Sequence, residues 1–395
     1  QTLERLETLM AIFVSNRYLP RRILLLTGCF ARAAAERHSI SRLWKQSSGL
    51  MARSVTQNAG DHGEHYITRD KKEYWAMFYS AAGGGVLIAL MALFKTYLGS
   101  IIDDKVWKGI AEGLNYGLGF MVIFMLHFTV ATKQPAMTAA RFAEAVEKTP
   151  QGKTVNMKLA QLLVDVFRSQ SIAVLGNVLI AMGLAALIAF GYQYKTGEPL
   201  MNADQIAYQL HSIDPFAGTL WFAAIAGVWL FCSGIISGYF DNRSNYLNMR
   251  MRLTQHPLLK KLMSEKTRVK FANYMHENYG SLIGNLCFGM LLGITGVVGY
   301  LTHLPLDIRH VAFSSANVGY IAVSGHFTYS LLLQCIAFVL LIGLVNLIVS
   351  FSLTLWVALR SLNAEIDSWW PIWHEVCQIV KKRPLSLFLP VQLDK

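Results

Sequence analysis

The chain has 395 residues, 53% of them hydrophobic and only 15% charged, with a formal net charge of +12. A soluble globular domain carries about 25% charged residues, so this composition excludes an ordinary water-soluble enzyme and points to a chain largely solvated by lipid. The five cysteines, Cys29, Cys232, Cys287, Cys335 and Cys377, are widely spaced and form neither a CxxC pair nor a disulfide framework.

Residues 1–75 mix apolar and basic positions without an uncharged run long enough to cross a bilayer. Leu9 to Val14 and Ile23 to Phe30 are bounded by Arg17, Arg21, Arg22 and Arg32, which predicts cytosolic amphipathic helices that pack together or lie on the membrane surface. Asp61-His62-Gly63-Glu64-His65 contains HxxH. It lacks the HExxH zincin pattern and a third ligand, so it reads as a solvated loop, and neither a metal nor a cofactor is expected. No secretory signal is visible, and a chain that begins at Gln1 rather than Met is expected to lack an upstream portion.

From there the pattern predicts an all-α fold, a polytopic transmembrane bundle of about six spans. The spans run near Ala76 to Leu98, Trp107 to Ala131, Ile172 to Tyr192, Phe216 to Tyr239, Ser281 to Leu301 and Leu331 to Leu359. The organisation is a basic helical segment at 1–75, a membrane domain at 76–360 and a cytosolic tail at 361–395. Two long connections, Thr132 to Ser171 and Asp241 to Gly280, show helical periodicity in Met137 to Val146 and Leu258 to Tyr274. A third, Thr302 to Ser330, contains Gly and Ser and has the composition of a partly re-entrant segment. Lys and Arg crowd into alternate connections, the positive-inside pattern. It places both termini in the cytoplasm, and anionic headgroups are the expected partners of the basic segments.

An internal repeat is predicted at an offset of 108 residues, where Gly176-Asn177 and Gly191-Tyr192 recur as Gly284-Asn285 and Gly299-Tyr300. Small residues follow each asparagine at helical spacing, Ala181 and Ala185 in one copy and Gly289 and Gly293 in the other. Such faces let helices approach closely in lipid. The repeat units expected from this are parallel, spanning about 107–193 and 216–301.

The polar candidates are few. Asn177 and Asn285 lie inside spans, where an amide either bonds a neighbouring helix or lines a path. His127 falls inside span two, where an ionisable group can mark a proton route. Lys133, Gln134 and Pro135, and likewise Asp241, Asn242 and Arg243, follow spans two and four at the cytosolic border, with Pro135 expected to stop a helix and Asp241 to pair with Arg243 in a turn. Asp307, Arg309 and His310 form a compact charged group on the opposite side. No GxSxG, P-loop or GxGxxG constellation is present.

Several short motifs occur together: Gly63-Glu64-His65-Tyr66-Ile67, Ser80-Ala81-Ala82-Gly83-Gly84-Gly85, Lys133-Gln134-Pro135-Ala136, Ser237-Gly238-Tyr239-Phe240-Asp241-Asn242, His256-Pro257-Leu258-Leu259 and Pro305-Leu306-Asp307-Ile308-Arg309-His310-Val311. With them the chain, from about Ser54 to Leu359, resembles the bacterial membrane proteins labelled site-specific recombinase, also called the gonococcal recombinase family. The resemblance implies an inner-membrane protein and a longer N-terminal region in its relatives. The label implies DNA strand exchange, yet no histidine is followed by Arg three residues later, so a tyrosine-recombinase centre has no anchor. The residues therefore predict a non-enzymatic scaffold, assembly or envelope-homeostasis factor, with a protein partner or a second copy of the chain as its associate and DNA as an unexpected one. A small-molecule, ion or lipid transporter is the alternative, and a membrane-associated recombinase the third.

Overall fold

The computed structural model describes residues 67–389 apart from 69, 132–133, 148–152, 325–326, 363–365 and 367, together with eight residues among the first 30. The chain divides into two units, Gln1–Met51 and Ala52–Lys395. The described residues of the first unit are helical, and Thr27 Oγ1 donates to the Leu24 carbonyl. The Asp61 to His65 loop and Cys29 lie outside the described residues.

Among the described residues of the second unit the regular elements are helices. Helices α1 (Lys71–Ile101) and α2 (Lys105–Met125) form an antiparallel hairpin, α3 (Gln134–Glu147) is short, and α4 (Lys153–Thr196) is 44 residues long. Helix α5 (Ala203–Ile213) leads into α6 (Thr219–Tyr246), and the short α7 (Met249–Gln255) and α8 (Pro257–Leu262) lead into α9 (Glu265–Thr302). The chain ends with α10 (Val311–Ala322), α11 (Tyr329–Leu362) and α12 (Trp370–Lys382). Among the described residues five helices, α1, α4, α6, α9 and α11, are long and apolar enough to cross a membrane. Exposed aromatic residues mark two levels on them. On α1 they are Tyr79 and Tyr97, and on α6 Trp221 and Tyr239, each pair separated by about 27 Å of helix. Interfacial aromatics at that separation match a hydrocarbon core about 30 Å thick.

The predicted second span is shorter than Trp107 to Ala131 and is not among the five. Helix α2 carries Lys108, Glu112 and Asn115 in its first half, which lowers its hydropathy, and it ends at Met125. His127 follows with φ 58°, and the chain continues without regular helix. Pro135 belongs to the first turn of α3 and does not stop a helix, consistent with proline's fit at the start of one.

The end of the bundle where α1 begins is called basal here and the other end distal. Directions follow from the contacts. Ala81 and Gly85 of α1 meet Asn177 and Ala181 of α4 in parallel, and Ala223 and Gly227 of α6 meet Asn346 and Val349 of α11 in parallel. Helix α2 runs antiparallel to α9, with Gly109 at Val297, Gly113 at Gly293 and Gly117 at Gly289; α6 also runs antiparallel to α9, with Ser233 at Gly284 and Ser237 at Gly280. So α1, α4 and α9 point one way and α2, α6 and α11 the other.

This order defines two like units of opposite direction. The first is α1, α2, a non-helical break, α3 and α4. The second is α6, α9, a break, α10 and α11. Their breaks are held by the same bonds. Thr129 N donates to Ser80 O (3.1 Å), and Arg309 N to Phe222 O (3.3 Å). Asn177 Nδ2 donates to the Ala81 and Thr129 carbonyls (2.6 and 2.9 Å), and Asn346 Nδ2 to those of Ala223 and Arg309 (2.7 and 3.0 Å). Ala131 N and Val311 N then donate to the two asparagine Oδ1 atoms, at 2.8 and 3.2 Å. Both asparagines are buried. A buried break strands backbone groups that are costly to leave without partners, and at each break one asparagine satisfies two of them while its third bond ties it to a helix carbonyl.

The short helices exchange between units. Helix α10 packs on α4, where Ala312, Ala316 and Tyr320 share a cluster with Ala181, Ala185 and Ala189, and α3 packs on α11, where Ala139, Phe142 and Ala143 cluster with Leu355 and Ala358. The connection read as partly re-entrant thus contains a buried 12-residue helix. The predicted parallel units do not take equivalent places: α6 lies along α9, whereas α2 lies along α9 and α4 along α1. Gly289 and Gly293, the small residues expected to form the second copy's packing face, belong instead to a seam in which Gly113 and Gly117 cross Gly293 and Gly289 with no room for a Cβ.

Candidate functional site

A polar pocket of about 450 Å³ opens at the distal end, between α1, α2, α5, the second break and α10. Lys95, six residues before the end of α1, and Glu112, one turn beyond Lys108 on α2, form an ion pair of 3.4 Å, with Lys95 Nζ 5.6 Å from the Tyr116 ring centre. Each charge would be costly at this depth alone, and charges inside a membrane bundle mark functional positions by default. Across the pocket, Arg309 NH1 donates to Asp307 Oδ2 (2.6 Å) and its Nε to the Ser212 carbonyl (2.8 Å), while the guanidinium lies 5.3 Å from the Phe222 ring centre. Arg309 thereby ties the end of α5 to the second break and the start of α6.

Helix α5 forms one wall. Its N-terminus is fixed by a capping box: Asn202 Oδ1 accepts from Gln205 N, and Gln205 Oε1 accepts from Asn202 N. Lys108 and Asp204 also line the pocket. Among the described residues neither has an ionic partner, so the pocket offers one uncommitted cation and one uncommitted anion beside two internal pairs.

The pocket ends on Tyr116, about 13.5 Å of helix past Trp107 at the distal aromatic level. That is close to half the hydrocarbon thickness. Below it, rings close the way: Tyr116 to Phe313 at 4.5 Å, Phe120 to Phe288 at 5.0 Å and His310 to Phe313 at 5.6 Å between centres. The glycine seam lies beside this layer, and Asn115 Nδ2 crosses to the Met91 carbonyl at 2.9 Å.

Of the residues singled out by sequence, Asp307, Arg309 and His310 meet in this pocket. Arg309 is largely buried, with 13% of its side chain exposed, while Asp307 keeps 37%. Asn177 is a clamp on the first break. Its counterpart is Asn346, not Asn285, which is buried on α9 and donates to Ser281 O of its own helix. His127 is not inside a span: it is an exposed turn residue whose carbonyl accepts from Ser80 Oγ (3.0 Å). Asp241, Asn242 and Arg243 lie within α6, not in a turn after it. Asp241 Oδ1 accepts from Gly280 N at 2.8 Å, and Arg243 faces Tyr239 Oη one turn back at 3.4 Å. Lys133 lies outside the described residues, as does the side chain of Gln134. Among the described residues no group of three His, Cys, Asp or Glu is placed to hold a metal.

Sequence reasoning passed over Lys95, Lys108, Glu112 and Asn346. Their signal was present: each is a charge or amide inside an apolar segment.

The two opposed four-helix units, the aromatic levels and the five apolar spans define a polytopic α-helical membrane protein. The chain belongs to the family described as site-specific recombinase, which it matches over residues 1–390, and is a bacterial membrane protein. The match is longer than the stretch from Ser54 to Leu359 that carries the motifs. Neither a curated protein nor a solved structure matches the chain.

Proposed function

We propose that this is a non-enzymatic inner-membrane protein that takes a small polar solute into the distal pocket for transport. The observation that carries the reading is a charge-lined cavity between two units of opposite direction, reaching from the distal aromatic level to Tyr116. Transporter folds commonly place their sites at such a repeat interface. The uncommitted Lys108 and Asp204 suit a zwitterion, one end for each charge. The concentration of Lys and Arg at basal connections supports a cytoplasmic basal end with both termini there, so the pocket faces outward.

The test is thermal unfolding of the full chain in lipid nanodiscs against a panel of amino acids, other zwitterions, simple anions and simple cations. A zwitterion should raise the midpoint saturably, and Lys108→Ala should weaken that binding about tenfold. Stabilisation by none of the panel would sink the reading.

The scaffold reading is favoured by a different observation, the sealed glycine seam between α2 and α9. It requires a stable protein partner in cross-linking from intact membranes. The recombinase reading rests on the family's name and requires duplex-DNA binding with steep salt dependence.

A further inference from the structure

The two units share a fold but differ at equivalent ends. Ala81 corresponds to Ala223 through the clamps, and the end of α2 to the end of α9 through the breaks that follow them. Extended along the helices, this register sets Lys95 and Gly99 of α1 on Ser237 and Asp241 of α6. It sets the start of α2, at Asp104, within about one turn of Gly280 and Gly284 on α9.

At the distal end, Lys95, Gly99 and Lys108 border the open pocket. At the basal end their counterparts are shut. A Cβ on Gly284 would lie 3.0 Å from Ser237 Cβ, Gly280 leaves no room for one against Ser237 O, and Asp241 accepts from the Gly280 amide at 2.8 Å. Two copies of one unit, inverted with respect to each other, are thus held in different states, one open and one closed.

We propose that these states exchange: the structure is the outward-open form of an alternating-access cycle, and the basal ends of α6 and α9 are its inner gate. Asp241 and Gly280 latch that gate. When α6 leaves α9 around Ser237, a basal pocket forms in the place that mirrors the distal one, while α1 and α2 close on the distal side. The breaks at 126–131 and 303–310 sit at opposite ends, beside these two gates, each pinned by its asparagine, so the hairpins move against fixed points. The inference rests on the solute-binding reading and adds the route of release.

The test uses the full chain with its five native cysteines replaced, in vesicles of both orientations, probed with a membrane-impermeant maleimide. Thr96→Cys reports the distal pocket and Ser237→Cys the inner gate. Gly280→Ala wedges the gate. It should raise Ser237→Cys labelling from the basal side about tenfold and lower Thr96→Cys labelling from the distal side. A rise at both sites would mean a loosened bundle and overturn the proposal, as would an unchanged Ser237→Cys rate. A wedge can also prevent folding, so the opposite perturbation is included: Ser237→Cys with Gly284→Cys, oxidised, in the Thr96→Cys background. This lock should keep distal labelling at its maximum and abolish any change in it caused by the stabilising zwitterion. A zwitterion effect that survives the lock counts against alternation. Solute binding read by thermal unfolding is a separate measurement, so retained binding without reciprocity defeats the gate and leaves the pocket standing.

Discussion

The distal ends of α1 and α2 and the basal ends of α6 and α9 are the same place in two copies of one unit, yet one holds a charged cavity and the other a glycine contact. Lys95 and Lys108 need room and counter-charges, so Glu112 and water-accessible space stand between the helices there. Ser237 and Gly284 need neither, and the helices touch. In a membrane bundle, close approach depends on small residues and polar contacts rather than on hydrophobic drive, so a few side chains decide which end of a unit closes. The units stay alike where the backbone would otherwise be stranded, at Asn177 and Asn346.

The largest effects are expected at those clamps. Asn177→Ala and Asn346→Ala each remove three hydrogen bonds and strand two backbone groups of a break and should cost about 2–4 kcal/mol, measured as the reversible unfolding free energy in mixed micelles. Similar losses from both variants would support the equivalence of the units, and a loss confined to one would break it. Next comes the seam. Gly289→Val pushes α9 against the α2 backbone and should cost about 1–3 kcal/mol. Gly183→Ala, where nothing lies within 4 Å of a new Cβ, should leave the midpoint level or raise it slightly.

At the pocket, Glu112→Gln removes the acid facing Lys95 and should destabilise by about 1 kcal/mol. Glu112→Gln with Lys95→Met should recover part of that loss. A double variant no better than the single one would show that the pair does not couple the hairpin. The smallest effect is expected from Arg309→Lys, which keeps the charge but loses the fork that joins Asp307 to Ser212. It should lower the midpoint by a degree or two and speed proteolysis at α5.

Much of the fold is legible in the residues. Four predicted spans fall within helices of the structure and a fifth, Phe216 to Tyr239, starts three residues before its helix, α3 covers the periodic stretch from Met137 to Val146, and the charged group at Asp307 to His310 lies in the pocket. The error over the second span is instructive. Hydropathy averaged Lys108 and Glu112 with the apolar run that follows, and the run itself ends at a break supported from another helix. His127 looked intramembrane for that reason. The pairing of repeats failed because glycine spacing carries no direction: Gly289 and Gly293 look like companions of Ala181 and Ala185 until the seam shows them crossing Gly117 and Gly113.

By itself the sequence determined the class of protein, most of its long apolar helices and the family resemblance, because each depends on local composition or on motif order. The tertiary structure alone decided which units match, that they are inverted, and that a cavity lies at the distal ends of α1 and α2 and a close contact at the basal ends of α6 and α9. Those facts rest on hydrogen bonds between residues 96 and 123 positions apart, Asn177 to Ala81 and Asn346 to Ala223, and on contacts of glycines whose small size shows only that some partner comes near.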